Sequence, residues 1–205
     1  MGMLARLFST VSEPAAYDDR YYSSGRGSRA GSGVEVGPDA AMTISTVYAC
    51  VNVISETMAT IPLGIFRRIV EKGRPGKQAA SNHPIYDVLH DRPNASQTAF
   101  EFKEMMTAFA VLRGVGVAEI KPGPRGAVDQ LIPLHPDLLR REVLSDGSGA
   151  WQYRDPRLRN GGERRLMPEE VFTVRGKFGK SVLEFAKDSF GMTLAMARYQ
   201  GNLFS

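Results

Sequence analysis

The sequence predicts an α+β fold in which helices pack on small mixed or antiparallel sheets that are joined by hairpins. Between residues 43 and 113, apolar side chains recur at steps of three and four residues, the spacing of one helix face. Between residues 115 and 175, short apolar runs alternate with loops rich in proline and glycine, which is typical of β-hairpins. Helical spacing returns after Ser181.

The clearest single pattern lies in Thr43–Arg68 and predicts a helix that runs into a strand. Thr43 and Ser45 are candidates for its N-cap. Pro62 ends it, because proline lacks an N–H group and disfavours helix in the residue before it, so residues 63–69 are expected to form a short strand. We expect this helix to be buried, with a face formed by Ile44, Val47, Tyr48, Val51, Ile54, Met58 and Ile61.

Two further helices are predicted before the strands begin. After a polar turn at residues 71–80, a short helix spans residues 83–94, with Pro84 in its first turn. Thr98 then caps a longer helix that reaches about Arg113, and Glu101 completes a capping box. The apolar stripe of this longer helix is Phe102, Met105, Met106, Phe109 and Leu112, and Gly114 and Gly116 close it.

The rest of the chain is predicted to form two hairpins, a helical turn that starts at Pro168, one more strand and a last helix. The hairpin strands are residues 115–121 with 128–133 and residues 140–144 with 150–154; the later strand is residues 171–175, and the helix starts at Ser181.

The domain organisation follows from composition. Residues 1–40 are rich in Ser, Gly, Ala and Arg and are expected to form a flexible N-terminal arm, and residues 41–205 form the α/β domain. We expect the apolar face of the last helix, Leu183, Phe190 and Leu194, to be covered by a neighbouring subunit or by further sequence of a longer protein.

Charge and cysteine content limit the class of protein. The net charge of +4 and the pI of about 9.3 permit contact with a polyanion, but the basic residues are spread along the sequence rather than collected in one run. The single cysteine, Cys50, excludes an internal disulfide and is expected to be a small buried residue. No apolar run approaches the roughly 20 residues of a membrane helix, so we expect a soluble intracellular protein.

No catalytic, cofactor or metal site is predicted. His83 and His90 lie seven residues apart, about two helical turns, which is too far for an ordinary metal pair, and His135 is expected to be a structural turn residue. Residues 176–181 end in Gly-Lys-Ser but lack the glycine spacing of a P-loop. A flexible turn is the preferred interpretation there, and a weak phosphate contact is the alternative.

Five segments in this order resemble the N-terminal half of the portal proteins of tailed double-stranded DNA bacteriophages. The resemblance is to the branch of long-tailed phages, prophages and gene-transfer particles. It covers about residues 40–205 and comes from the order of the segments rather than from one motif. The segments are ISTVYACVNVISETMATIPLGIFRR, HPIYDVLHDRPN, TAFEFKEMMTAFAVLRGVGVAEI, GAVDQLIPLHPDLL and LMPEEVFTVRG.

The resemblance implies a structural subunit and no enzyme. It implies a dodecameric ring of this chain at one capsid vertex of the virion, assembled in the bacterial host cytoplasm, through which DNA is packaged and ejected. The implied partners are the large terminase, the major capsid protein, the head–tail connector or adaptor proteins and double-stranded DNA. This chain corresponds to the wing, and the stem and clip lie beyond Ser205, so we expect the chain alone to be monomeric or prone to aggregation.

Two other functions remain open from the sequence. One is a nucleic-acid-processing enzyme or DNA-binding accessory protein of a prophage, which needs a carboxylate cluster for metal or a concentrated basic face. The other is an interaction module of a defective prophage. Residues that contact DNA are not assigned by the sequence.

Overall fold

The computed structural model describes residues 28–31, 33, 35–71, 74–124, 126–145, 149–158 and 162–203. The described residues form helices and small antiparallel sheets, which confirms the α+β prediction. The helices are α1 (Pro38–Met42), α2 (Ser45–Thr60), α3 (Ile85–His90), α4 (Ala99–Arg113), α5 (Val182–Phe185) and α6 (Lys187–Leu203). The strands are β1 (Ser28–Arg29), β2 (Glu35–Val36), β3 (Phe66–Glu71), β4 (Arg74–Ala79), β5 (Val115–Pro122), β6 (Val128–Leu134), β7 (Leu139–Val143), β8 (Gly149–Arg154), β9 (Glu163–Leu166) and β10 (Val171–Arg175).

The central sheet has the strand order β10-β5-β6, and β5 is buried on both of its faces. Because side chains alternate along a strand, Ala118 and Ile120 face one way and pack with Phe102 and Met106 of α4. Val117 faces the other way and packs in a second apolar cluster with residues of the β7-β8-β9 sheet. The two cores of the protein therefore share β5 as their common wall.

The remaining elements attach to these two cores. α2 packs along α4, and the Lys103 ammonium of α4 donates a hydrogen bond of 2.8 Å to the carbonyl of Ile61 just beyond the end of α2. β6 is covered on its outer edge by the loop between α3 and α4. There, Asn94 donates to the carbonyl of Leu131, whose N–H donates to the carbonyl of Pro93. The loop therefore satisfies backbone groups that an edge strand would otherwise expose.

The start of α4 has the predicted capping box. The Thr98 hydroxyl accepts a hydrogen bond from the N–H of Glu101, and the Glu101 carboxylate accepts from the N–H of Thr98 at 2.8 Å. The Thr98 hydroxyl also donates to this carboxylate. The hydrogen bonds that the carboxylate accepts from Thr98 lower the pKa of Glu101, chiefly the one from the Thr98 backbone. The prediction of the helix start from Thr98 and Glu101 is thus confirmed at both of its hydrogen bonds.

Replacement of Thr98 by alanine should lower the melting temperature by about 2–4 °C, because the N–H of Glu101 loses its acceptor at the helix start. Differential scanning fluorimetry of the variant and the unchanged protein measures the shift. Thr98→Ser keeps the hydroxyl and is the matched control. A serine variant that melts as early as the alanine variant would contradict the capping role.

Three predictions about the fold are wrong. Residues 74–79 form strand β4 rather than part of a turn, and β9 was not foreseen. Cys50 is exposed rather than buried, because α2 turns Val51, Ser55 and Ala59 inward instead. Most of the apolar face predicted for α2 is also exposed, because the helix turns this other line of residues inward.

The N-terminal arm predicted for residues 1–40 lies mainly outside the described residues, and its flexibility stays a prediction. Its described part contains β1, β2 and the start of α1. Val36 of β2 and Ala30 are buried against Leu194 of α6. The first strand pair therefore lies on the last long helix, close to the opposite end of the sequence.

Candidate interaction surfaces

One side of α2 presents apolar side chains to solvent. Ile54 and Met58 lie four residues apart on one helix face, and Ile61 follows just beyond the end of the helix; we call these three residues the α2 stripe. Their exposed fractions are 45%, 49% and 49%. The stripe lies beside the line of residues that packs inward, and it is exposed because α4 covers only that neighbouring line.

A second apolar surface lies on α6. Met192, Met196, Tyr199 and Leu203 share one face and are between 56% and 66% exposed; we call them the α6 stripe. At about 100° per residue, this face is on the side of the helix away from Leu194. α6 therefore has one apolar face inside the chain and another that faces solvent.

The residues predicted for subunit contact or core covering are Leu183, Phe190 and Leu194. Leu183 and Leu194 are buried within the chain, and Phe190 is partly buried beside Leu194. The part played by a neighbouring subunit at these three residues stays a prediction. The exposed apolar residues of α6 lie at other positions, and they could have been found from their own four-, three- and four-residue spacing.

The β3–β4 hairpin is a two-stranded sheet whose described side chains are mostly exposed, and four residues of its strands are basic. In its antiparallel register, Arg68 lies opposite Lys77 and Arg67 lies opposite Gln78. Phe66 and Val70 are 61% and 72% exposed. The sequence reading missed this basic surface because it treated the second strand as a turn.

Glu119 of β5 is a buried charged residue. Arg164 of β9 donates two hydrogen bonds of 3.0 Å, one to each carboxylate oxygen, and Lys121 donates a third of 2.6 Å. Burial alone would raise the pKa of Glu119, but the hydrogen bonds and positive charges of Arg164 and Lys121 together lower it. Because Asp155 also lies 3.2 Å from Arg164 Nε, this cluster is an ion-pair network that joins two sheets.

A second ion pair fixes the end of α4. Arg113 donates to both carboxylate oxygens of Asp137 at 2.8 and 2.9 Å. The hydrogen bond from Arg113 is the main cause of the lowered pKa of Asp137. Both partners are therefore held in structural roles between the helix and the turn after β6.

The histidines have local structural contacts. His83 Nδ1 accepts from the N–H of Ile85, and His90 stacks on Tyr86 and lies 2.7 Å from the Asp91 carboxylate. His135 accepts from the N–H of Asp137, as expected for a turn residue. Among the described residues, no group of three histidine, cysteine or carboxylate side chains is placed to hold a metal.

The Gly-Lys-Ser segment has the geometry of a packed turn. The Ser181 hydroxyl is buried and accepts from the N–H of Glu184, so it caps α5. Phe178 has a φ of 57°, in the left-handed region. Its ring packs edge-on against the ring of Phe185, with 6.4 Å between the two ring centroids. Nothing in this arrangement supports the phosphate contact considered from the sequence.

A groove of about 430 Å³ lies between α2 and α4. Its walls include Asn52, Ser55 and Glu104. Glu101 also lines it, but the carboxylate of this residue is engaged in the capping box. The Ser55 hydroxyl in this groove donates a hydrogen bond of 3.2 Å to the carbonyl of Asn52.

The comparisons with known proteins agree with this fold. The phage portal protein family matches residues 45–205, and the chain belongs to that family. The portal protein of Enterobacteria phage HK97 is 28% identical over 164 residues, which cover 80% of this chain and 38% of that protein.

Two solved structures share the fold at 18% identity. One is the neck of a native gene transfer agent particle computed with C12 symmetry, with a TM-score of 0.59 over 91% of this chain and 49% of that one. The other is the crystal structure of an HK97-family phage portal protein from Corynebacterium diphtheriae, with a TM-score of 0.54 over 82% of this chain and 50% of that one. The chain spans half or less of the length of these relatives.

No helix in the described ranges combines the length and the apolar character that a membrane span needs.

Proposed function

We propose that this chain is a structural subunit of a phage portal ring, the assembly at one capsid vertex through which double-stranded DNA is packaged and later leaves. The family match over residues 45–205 is the observation that carries the proposal. The similarity to a neck described with C12 symmetry supports a dodecameric ring. The large terminase, the major capsid protein, the head–tail connector proteins and DNA are the partners that this role requires.

The mechanism of such a subunit is mechanical rather than chemical. Copies in a closed ring contact one another through two different surfaces, one on each side of the subunit. The α2 stripe and the α6 stripe are two separate apolar surfaces on different helices, which fits this requirement. We therefore assign the α2 stripe to contact with the next copy of the chain, in the virion and during assembly in the host cytoplasm.

A carboxylate cluster for metal would have favoured the alternative, a nucleic-acid-processing enzyme. The carboxylates of the described cores are instead engaged by arginine and lysine, as Glu119 and Asp137 show. We therefore propose a structural subunit that catalyses no reaction.

The α2 stripe can be tested by charge insertion. Ile54→Glu combined with Met58→Glu should abolish concentration-dependent self-association of the chain, because two carboxylates would have to be buried in the contact. Sedimentation velocity over a range of concentrations measures this. Val143→Glu with Leu158→Glu is the matched control, since these residues are 52% and 43% exposed and lie outside both stripes.

Cys50 provides an independent readout of the same contact. It is exposed and lies one helical turn before Ile54, so its reaction with a thiol reagent should slow as wild-type copies associate. Cys50 of the V143E/L158E control should be protected in the same way. Cys50 of the I54E/M58E stripe variant should react rapidly at every protein concentration. Association of both double variants alike, or a reactivity of Cys50 that stays unchanged as wild-type copies associate, would refute the assignment.

A further inference from the structure

The β3–β4 hairpin carries the whole positive excess of the chain. Residues 66–79 contain five of the 26 basic residues and one of the 22 acidic residues. The rest of the chain therefore holds 21 residues of each sign. The hairpin pairing brings part of this dispersed charge together, because it places Arg68 opposite Lys77 and Arg67 opposite the neighbouring Gln78.

The register of this hairpin places like charges together. Arg68 lies directly opposite Lys77, an arrangement that destabilises a sheet when no opposite charge is near. Among the side chains that the structure describes, no carboxylate lies within ion-pair distance of Arg67, Arg68 or Lys77, and all three are exposed. An external anion would relieve this repulsion, so the hairpin is suited to bind one.

The same face carries apolar groups beside the charges. Phe66, Arg68 and Val70 alternate onto one side of β3, and Phe66 and Val70 are largely exposed. Among the described strands, β3 and β4 pair only with each other, so the hairpin is a free two-stranded ribbon. A ribbon of this kind has the width that a DNA groove admits, and its basic side chains can reach the flanking phosphates.

We propose that this face of the β3–β4 hairpin binds the phosphate backbone of double-stranded DNA without sequence preference. DNA is favoured over an acidic protein because it presents one negative charge per about 1.7 Å of helix axis, a density that can neutralise paired cations together. Arg68 and Lys77 contact the phosphates, while Phe66 and Val70 cover the sugar edges. The inference rests on the proposed function only for the source of the DNA.

The test uses the full chain and a short fluorescein-labelled double-stranded DNA of arbitrary sequence. Fluorescence anisotropy at several salt concentrations gives the affinity and its salt dependence. The variant R68Q/K77Q should bind about tenfold more weakly, and the slope of log K against log salt should fall by about 1.8, because two phosphate contacts are lost. Circular dichroism verifies that the fold is kept.

The matched control is R140Q/R154Q, which removes two exposed strand arginines from β7 and β8 and changes the net charge equally. Its affinity for DNA should stay within about twofold of wild type, the change expected from net charge alone. An equal loss of DNA affinity in both variants, or an unchanged DNA affinity in the hairpin variant, would overturn the proposal. So would a hairpin variant that loses affinity for poly-L-glutamate but keeps its affinity for DNA, because that result assigns the surface to an acidic protein.

Sedimentation of the same proteins separates this inference from the ring contact. R68Q/K77Q should self-associate like wild type, and the α2 stripe variant should bind DNA with the same salt slope as the wild-type monomer. A wild-type chain that associates through the α2 stripe but does not bind DNA would reject the hairpin surface alone. A hairpin variant that loses DNA binding, together with a stripe variant that still associates like wild type, would leave the hairpin surface in place and reject the ring contact.

Discussion

Replacement of Arg164 by leucine is expected to lower the free energy of unfolding by about 3 kcal/mol, because it leaves the buried Glu119 with only one cationic partner. The arginine donates to both oxygens of this carboxylate and joins β9 to β5. Its loss removes two charge-assisted hydrogen bonds while the cost of burying Glu119 remains. Urea unfolding followed by the fluorescence of Trp151, the single tryptophan, measures the effect.

The neighbouring residue supplies the control. Arg165 also donates two hydrogen bonds of 3.0 Å, to Glu142, but its side chain is 52% exposed. Arg165→Leu should therefore change the free energy of unfolding by less than about 1 kcal/mol. Similar losses in the two variants would show that burial of the carboxylate does not decide the effect.

The difference between wild type and Arg164→Leu should depend on pH. The pKa of Glu119 is lowered in the folded protein from its ordinary value of 4.5. Its stabilising contribution is therefore present above pH 4.5 and is lost as the pH falls through the folded-state pKa. The two unfolding curves should converge in acid, and a difference that stays constant from neutral pH into that range would contradict the assigned ion pair.

The second large effect is expected at Gly116 of β5. A Cβ atom at this position would lie 2.6 Å from the carbonyl oxygen of Met106 and 3.3 Å from its Cα. Since both are backbone atoms of α4, no side-chain rotation can relieve the clash, and the helix must move off the sheet. Gly116→Ala should cost about 3 kcal/mol of unfolding free energy, at the upper end for overpacking.

Gly201 is the matched control in α6. A Cβ atom there meets nothing within 4 Å, so Gly201→Ala should leave the stability unchanged or raise it by up to about 1 kcal/mol through helix propensity. Urea unfolding of both variants makes the comparison. A Gly116→Ala variant as stable as wild type would mean that α4 and β5 are less closely packed than the structure has them.

The elements predicted best were those fixed by local chemistry. The start of α4 was predicted because Thr98 and Glu101 satisfy each other's backbone groups whatever surrounds them. β5 and β10 were predicted because their apolar runs lie between turn residues. β4 was missed because Arg74–Ala79 is polar, and its strand is held by backbone pairing with β3 rather than by burial.

The candidate surfaces were predicted less well, for a physical reason. The apolar spacing of Ile54 and Met58 correctly indicated one face of α2, but the inference that this face is buried in this chain was wrong. Spacing reports which residues avoid water and does not report which molecule covers them. Arg68 and Lys77 of the hairpin face were not recognised together, because their proximity depends on the pairing of β3 with β4.

The placement of the β7-β8-β9 sheet has a consequence for the order in which the chain folds. These strands come from residues 139–166, between β6 and β10, and they pair only with near neighbours in sequence. β10 must find β5 across this whole insertion, as in the pairing of Val171 with Glu119. Closing a long loop costs more entropy than closing a short one. We therefore expect the β5–β6 and β7–β8 hairpins to form early and the pairing of β10 with β5 to complete the native state last.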